Sequence, residues 1–226
     1  MVEAAVDDRL ARLQGRVFFY QMAHVVFGGE PDASLFAVLA SDDCRSALRG
    51  LAADGEGSLS AIADFCDTIA SDECDRDAEV GSALSAYNRY IAGLGSNRDS
   101  HPWESAYTSS RKLLFQVETL EVRNAYRAFG YLPEMYPKVA DDHIALECAF
   151  LAALAAKTLS AQDDEFTRLV EGQLDFLNNH LLKWIDRYAA DLRGEAQGSL
   201  YSLVADALAE FASRDAKLLS AIRAEA

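Results

Sequence analysis

The chain has 226 residues, half of them apolar, which is enough to bury one large core or two small ones. Its 36 acidic residues against 21 basic ones give a net charge of -15, which repels phosphate backbones and anionic lipid surfaces and argues against nucleic-acid or membrane partners. Alanine and leucine abound and proline occurs only at Pro31, Pro102, Pro133 and Pro137, so the expected fold is all-α: a compact multi-helix bundle forming a single domain over 1–226.

From Val6 to Phe27, apolar residues recur at Val6, Leu10, Leu13, Val17 and Tyr20, the rhythm of a helix with one buried stripe, and Gly28-Gly29 ends it. Shorter helical patterns follow at Ser34 to Ala40, Asp42 to Leu51 and Ser58 to Ile69, separated by Gly, Ser and Asp. Asp77 to Ile91 is helical again, with Leu84, Tyr87 and Ile91 on one side, and stops at Gly93-Leu94-Gly95. A polar loop, Ser96 to His101, comes next. Thr119 to Phe129 carries Leu120, Tyr126 and Phe129, and runs into a segment whose two prolines exclude helix. That segment, 130–141, is the candidate hinge, and the place to look for exchange of segments between two copies; monomer and dimer both remain open.

Between Ile144 and Leu159 the polar side chains are Glu147, Lys157 and Thr158, so this helix is apolar nearly all round and belongs at the centre of the fold, with Asp141 or Asp142 able to cap it. Phe166 through Leu192 continue the 3.6 period over one long helix or two joined ones, and Tyr201, Val204, Leu208, Phe211 and Leu218 mark a last amphipathic segment. The cysteines Cys44, Cys66, Cys74 and Cys148 show no metal or disulfide spacing and read as reduced thiols. Glu3, Asp7 and Asp8 lie where a secretory signal would be basic, and the apolar run Cys148 to Ala156 falls short of the roughly 20 residues that span a bilayer. The expected compartment is the cytoplasm.

Two stretches carry chemistry. Pro102 fixes its own backbone and holds His101 extended, which presents Trp103 from a loop, a geometry suited to binding. His143 and Glu147, one turn apart, share a helix face, but a metal site would need a third ligand, and the residue three after Glu147 is Phe150; no metal is expected. A carboxylate inside so apolar a helix is costly to bury unless paired, so Glu147 should meet His143 or an incoming cation. The bland alternatives are an N-cap for Asp142, a helix carboxylate at the bundle edge for Glu147 and core packing for Trp103; His24, His180 and Trp184 read as structural. Walker, dinucleotide, nucleophile-elbow and kinase patterns are missing.

Tyr87 through Gly93, Pro102-Trp103-Glu104-Ser105-Ala106-Tyr107, Leu113-Leu114-Phe115, Asp141-Asp142-His143-Ile144-Ala145-Leu146-Glu147 and Phe176 to Trp184, in that order, resemble the TorD/DmsD family of cytoplasmic chaperones for molybdoenzymes. The resemblance implies an all-helical chaperone that binds the twin-arginine signal peptide of a molybdopterin-containing oxidoreductase, and its body, until folding and cofactor loading precede export. It implies neither catalysis nor a cofactor. The family's peptide surface carries over to Pro102, Trp103, Glu104, Asp142 and His143, with Tyr107 and Glu147 as neighbours on the same motifs. The chain has Val139-Ala140 where the family has Glu-Pro, which removes one acidic contact, and Gly93-Leu94 where the family has Gly-Pro. Two rival readings rest on the same residues: a helical adaptor or regulator docking another partner through Trp103, and a bundle hydrolase acting on a nucleotide or through a metal with Asp142, His143 and Glu147.

Overall fold

Several helices in this chain begin where a short polar side chain satisfies a free amide. In the computed structural model, which describes residues 2–52, 57–93, 99–109, 117–133 and 139–225, with side chains from Leu10 to Ala224, α1 spans Val2–Gly28. Asp32 caps α2 (Ala33–Leu39), its Oδ1 accepting from the Leu35 amide at 2.8 Å, and Ser41 caps α3 (Asp42–Leu51). Helix α4 (Ser58–Ala70) begins after Gly57 and has no cap of its own; Glu210 supplies one, its Oε2 accepting from the Ser58 amide at 2.7 Å and the Leu59 amide at 3.3 Å. Asp75 caps α5 (Arg76–Ala86), which continues as a π-helical turn over Tyr87–Ile91.

Short α6 (Glu104–Thr108) and α7 (Val117–Ala128) precede the apolar α8 (Ile144–Thr158). The 3.6 period from Phe166 to Leu192 resolves into two helices, α9 (Asp163–Asn179) and α10 (Ile185–Ala196), joined by a 3-10 turn at Leu181–Lys183, and α11 covers Leu200–Glu225. No strand occurs among the described residues, and the fold is all-α as the composition implies. The expected loop residues Leu94 to Arg98, the Leu113-Leu114-Phe115 piece and, within the candidate hinge, Glu134 to Lys138 lie outside the described residues.

Helix α8 is the centre. It packs lengthwise on α1 and also touches α9, and nearly its whole circumference is buried, from Ile144 and Phe150 to Leu154 and Thr158. Its mid-helix Phe150 sits in an aromatic layer with Tyr126 at 4.8 Å, Tyr131 at 5.4 Å and Phe176 at 4.8 Å between ring centroids. Helix α11 closes the other side against α4, α9 and α10.

Two expectations need correction. Leu10, assigned to the buried stripe of α1, is 44% exposed, and Leu120, named among the apolar residues that α7 carries, is 52% exposed. The stripe of α1 instead includes Arg16, which is 1% exposed: its Nε donates to Asp215 Oδ1 at 2.5 Å and its Nη2 to Gln173 Oε1 at 2.5 Å. Tyr20 donates to the second Asp215 oxygen at 2.8 Å, so a charge that would be costly to bury alone is neutralised from α11. No helix among the described residues is long and apolar enough to cross a membrane.

Candidate functional site

The two motif stretches meet. Trp103 and His143 form an isolated antiparallel bridge, in which the Glu104 amide donates to the Asp142 carbonyl and the Ile144 amide to the Pro102 carbonyl, both at 2.9 Å. Trp103 is the extended residue before α6 and His143 the extended residue before α8, so the bridge joins two helix N-termini. Pro102, which lacks a donor, contributes its carbonyl to this pairing. The Trp103 indole lies edge-on to the His143 imidazole, with centroids 5.1 Å apart, and stays partly exposed.

The cap of α8 is not an aspartate. His143 Nδ1 accepts from the Ala145 amide at 3.2 Å, while His24 donates through its own Nδ1 to the Ala145 carbonyl at 2.9 Å. Burial, with His24 close by, pushes His143 down to about 3, and this keeps the neutral ring that a capping acceptor requires. Asp142 is fully buried and serves the other helix: its Oδ2 accepts from the Ser105 amide of α6 at 2.9 Å and its Oδ1 from the Thr119 hydroxyl of α7 at 3.0 Å. Asp141 turns to α7, where Arg123 donates Nε and Nη2 to its Oδ2 at 2.8 and 2.5 Å and Tyr126 donates to its carbonyl.

The remaining carboxylates are also inside. Glu104 is 2% exposed, and its Oε2 lies 3.0 Å from His180 Nδ1. Burial pushes its carboxyl up, His180 pulls it down and the Asp142 charge raises it again. Glu147 meets neither His143 nor the bundle edge. Its Oε2 accepts from the Trp184 indole N–H at 3.3 Å, its Oε1 has no partner among the described residues, and burial, followed by the charges of Glu104 and Asp142, pushes its carboxyl well above the usual range. The shift favours the neutral form of this carboxyl. Sequence reasoning took His180 and Trp184 as core filling; they are the partners of the two glutamates, a relation across 76 and 37 residues that no local spacing discloses.

Two cavities are lined by residues close to the bridge in sequence or by hydrogen bond. Partly exposed Tyr107 stacks on Trp184 with centroids 5.7 Å apart, accepts from the His101 amide at 3.1 Å and lines a cavity of about 490 Å³ with Asp99 and Asp191. A second cavity, of about 380 Å³, has His180 at its end and the rings of Phe129, Phe150 and Phe176 as walls. Among the described residues no three His, Cys, Asp or Glu side chains converge as metal ligands would.

An all-helical body whose Pro102-Trp103-Glu104 and Asp142-His143 segments clasp beside two cavities has the makings of a binding protein. The family model described as nitrate reductase delta subunit matches residues 49–190, most of the chain and all of the bridge, and the chain belongs to that family, in agreement with the TorD/DmsD resemblance of its motifs. Curated relatives are named "Chaperone protein TorD". The one from Aliivibrio salmonicida is 28% identical over 131 residues, 57% of this chain and 61% of the relative, and that from Aliivibrio fischeri is 29% identical over the same shares. The one from Vibrio cholerae serotype O1 (strain ATCC 39541) is 28% identical over 178 residues, 77% of this chain and 78% of the relative. The chain thus spans about three fifths of the length of the Aliivibrio relatives it matches.

Proposed function

We propose that the chain is a non-catalytic, cytoplasmic maturation chaperone that binds the twin-arginine signal peptide of a molybdopterin-containing oxidoreductase and assists folding and cofactor loading before export. The observation that carries this reading is the clasp: Trp103, partly exposed, stands where the two motif segments pair, while Tyr107 of the first segment and His180, the partner of Glu104, line cavities that also have carboxylates among their linings. Family membership and the names of the relatives support it. A leader of this kind offers two guanidinium groups ahead of an apolar stretch, and an aromatic platform with acidic surroundings complements both parts. The net charge of -15 favours its approach, more at low salt than at high.

The hydrolase reading fits less well, because Asp142 is committed to two hydrogen bonds, His143 to a cap and Glu147 to an indole in the interior. The adaptor reading differs only in the ligand. A synthetic peptide with two adjacent arginines followed by a leucine-alanine stretch, titrated into the protein beside its dilysine counterpart, separates the two. Tighter binding of the diarginine peptide is expected, because lysine loses the planar fork. Equal binding of both peptides would favour the adaptor.

A further inference from the structure

Glu104, Asp142 and Glu147 all lie inside the protein, so a cationic ligand has to meet other acids. Glu171 and Asp175, four residues apart on α9, share an exposed helix face, and neither has a hydrogen bond or an ion pair among the described residues. Two like charges at this spacing repel each other, and Arg168, which lines the same cavity, is engaged with Phe129 and the Ala128 carbonyl rather than with either acid. Both line the 380 Å³ cavity described above, whose inner walls are aromatic, with Phe150 and Phe176 buried and set edge to face. At its end stands His180, 7% exposed, with Nδ1 held by Glu104 and no partner among the described residues on its other ring nitrogen.

The protein already shows what one wall accepts. The Arg168 guanidinium lies 4.6 Å from the centroid of Phe129, while its Nη2 donates to the Ala128 carbonyl at 2.7 Å. The Phe129 ring reaches this place because residue 172 is glycine: a Cβ there would come within 2.0 Å of the ring's Cζ. The glycine thus lets an aromatic ring lie against α9 in the cavity that the two acids also line.

We propose that this cavity receives one arginine side chain of the client's leader, its guanidinium against the phenylalanine walls and its N–H groups forked toward Glu171 and Asp175. The assignment rests on the leader-binding reading and deepens it. The end of the cavity is tied through His180 and Glu104 to the residue next to Trp103, so a peptide anchored there lies close to the clasp.

The test uses the full chain and three synthetic peptides, each with a leucine-alanine stretch preceded by two arginines, two lysines or two citrullines. Citrulline keeps the planar shape and loses the charge. The protein variants are Glu171→Gln with Asp175→Asn, and, as a control of equal charge change on the same helix, Asp164→Asn with Glu165→Gln; circular dichroism melts verify folding of each. The cavity variant is expected to bind the diarginine peptide about tenfold more weakly and to lose most of the discrimination against citrulline, while the control changes little. Equal losses in both variants would reduce the effect to general charge attraction and overturn the cavity. No loss in either would also overturn it, leaving the chaperone reading in place. A wild-type protein that ignores the diarginine peptide would overturn both.

Discussion

Asp142 is the residue on which a peptide-reading role and an architectural role make opposite forecasts. Its two carboxylate oxygens accept one backbone amide and one hydroxyl, at 2.9 and 3.0 Å, in a fully buried setting. Truncation by Asp142→Ala leaves the Ser105 amide and the Thr119 hydroxyl without acceptors, each a loss of about 1–3 kcal/mol. The expected total is about 3 kcal/mol, and for a domain of this length each kcal/mol lowers Tm by about 2–4 °C, hence a fall of roughly 6–12 °C. Asp142→Asn can keep its carbonyl toward the Ser105 amide while its NH2 donates to the Thr119 oxygen, so a smaller loss, about 1 kcal/mol, is expected. Urea unfolding and thermal melts measure the stability term, and diarginine peptide titrations on folded protein measure binding. A variant that melts like the wild type yet binds about tenfold more weakly would refute the architectural assignment and return Asp142 to the peptide surface.

Trp103→Ala is expected to weaken diarginine peptide binding by about 2 kcal/mol, the cost of losing an aromatic anchor, with only a small change in the melt; a stability loss of about 3–5 kcal/mol would instead mark it as core. Glu147→Gln tests the buried acid. A carboxyl whose folded pKa is raised from its ordinary 4.5 keeps its proton where the unfolded chain gives it up, so its contribution is intact below about 4.5 and lost as pH rises above it. The variant should gain on wild type by up to about 1.4 kcal/mol per pH unit above that point in urea unfolding, and parallel pH profiles would disprove the assignment. For His143, held at about 3, the sign is reversed: stability is full above about 6.5 and declines as pH falls toward 3, so peptide binding should show no step near 6.5 from this ring. Glu210→Ala removes the acceptor at the start of α4 and should cost about 1 kcal/mol, read in the same unfolding experiment; an unchanged midpoint would show that water replaces it.

Local pattern disclosed most of the helices because they are signalled within a few residues: Asp32, Ser41 and Asp75 before their helices, Gly28-Gly29 at the end of α1, and the nearly unbroken apolar run of α8. The motifs also pointed to the neighbourhood of the bridge. Their polar members were harder to place, since the hydrogen bonds that decide their roles are long-range. Asp142 looks like a cap for the helix it precedes, but it serves α6 and α7, and His143 takes the cap because its ring reaches the Ala145 amide. Arg16 breaks an apolar stripe whose partner, Asp215, comes 199 residues later. Glu171 and Asp175 were not singled out from the sequence, because only the packing of Phe129 over Gly172 gives that pair a cavity.

The clasp between residues 103 and 143 is made of main-chain hydrogen bonds, and Ser105, Thr119, Arg123 and Tyr126 from the segment between its halves hold the adjoining Asp141 and Asp142. The span it closes resembles a buckle on a strap. Doubling the strap's length adds only about 0.6 kcal/mol of closure entropy, whereas a proline in place of residue 104 or 144 removes one of the two donors and opens the buckle. The strap can therefore lengthen at little entropic cost so long as Thr119, Arg123 and Tyr126 keep their hold on the two aspartates beside the buckle.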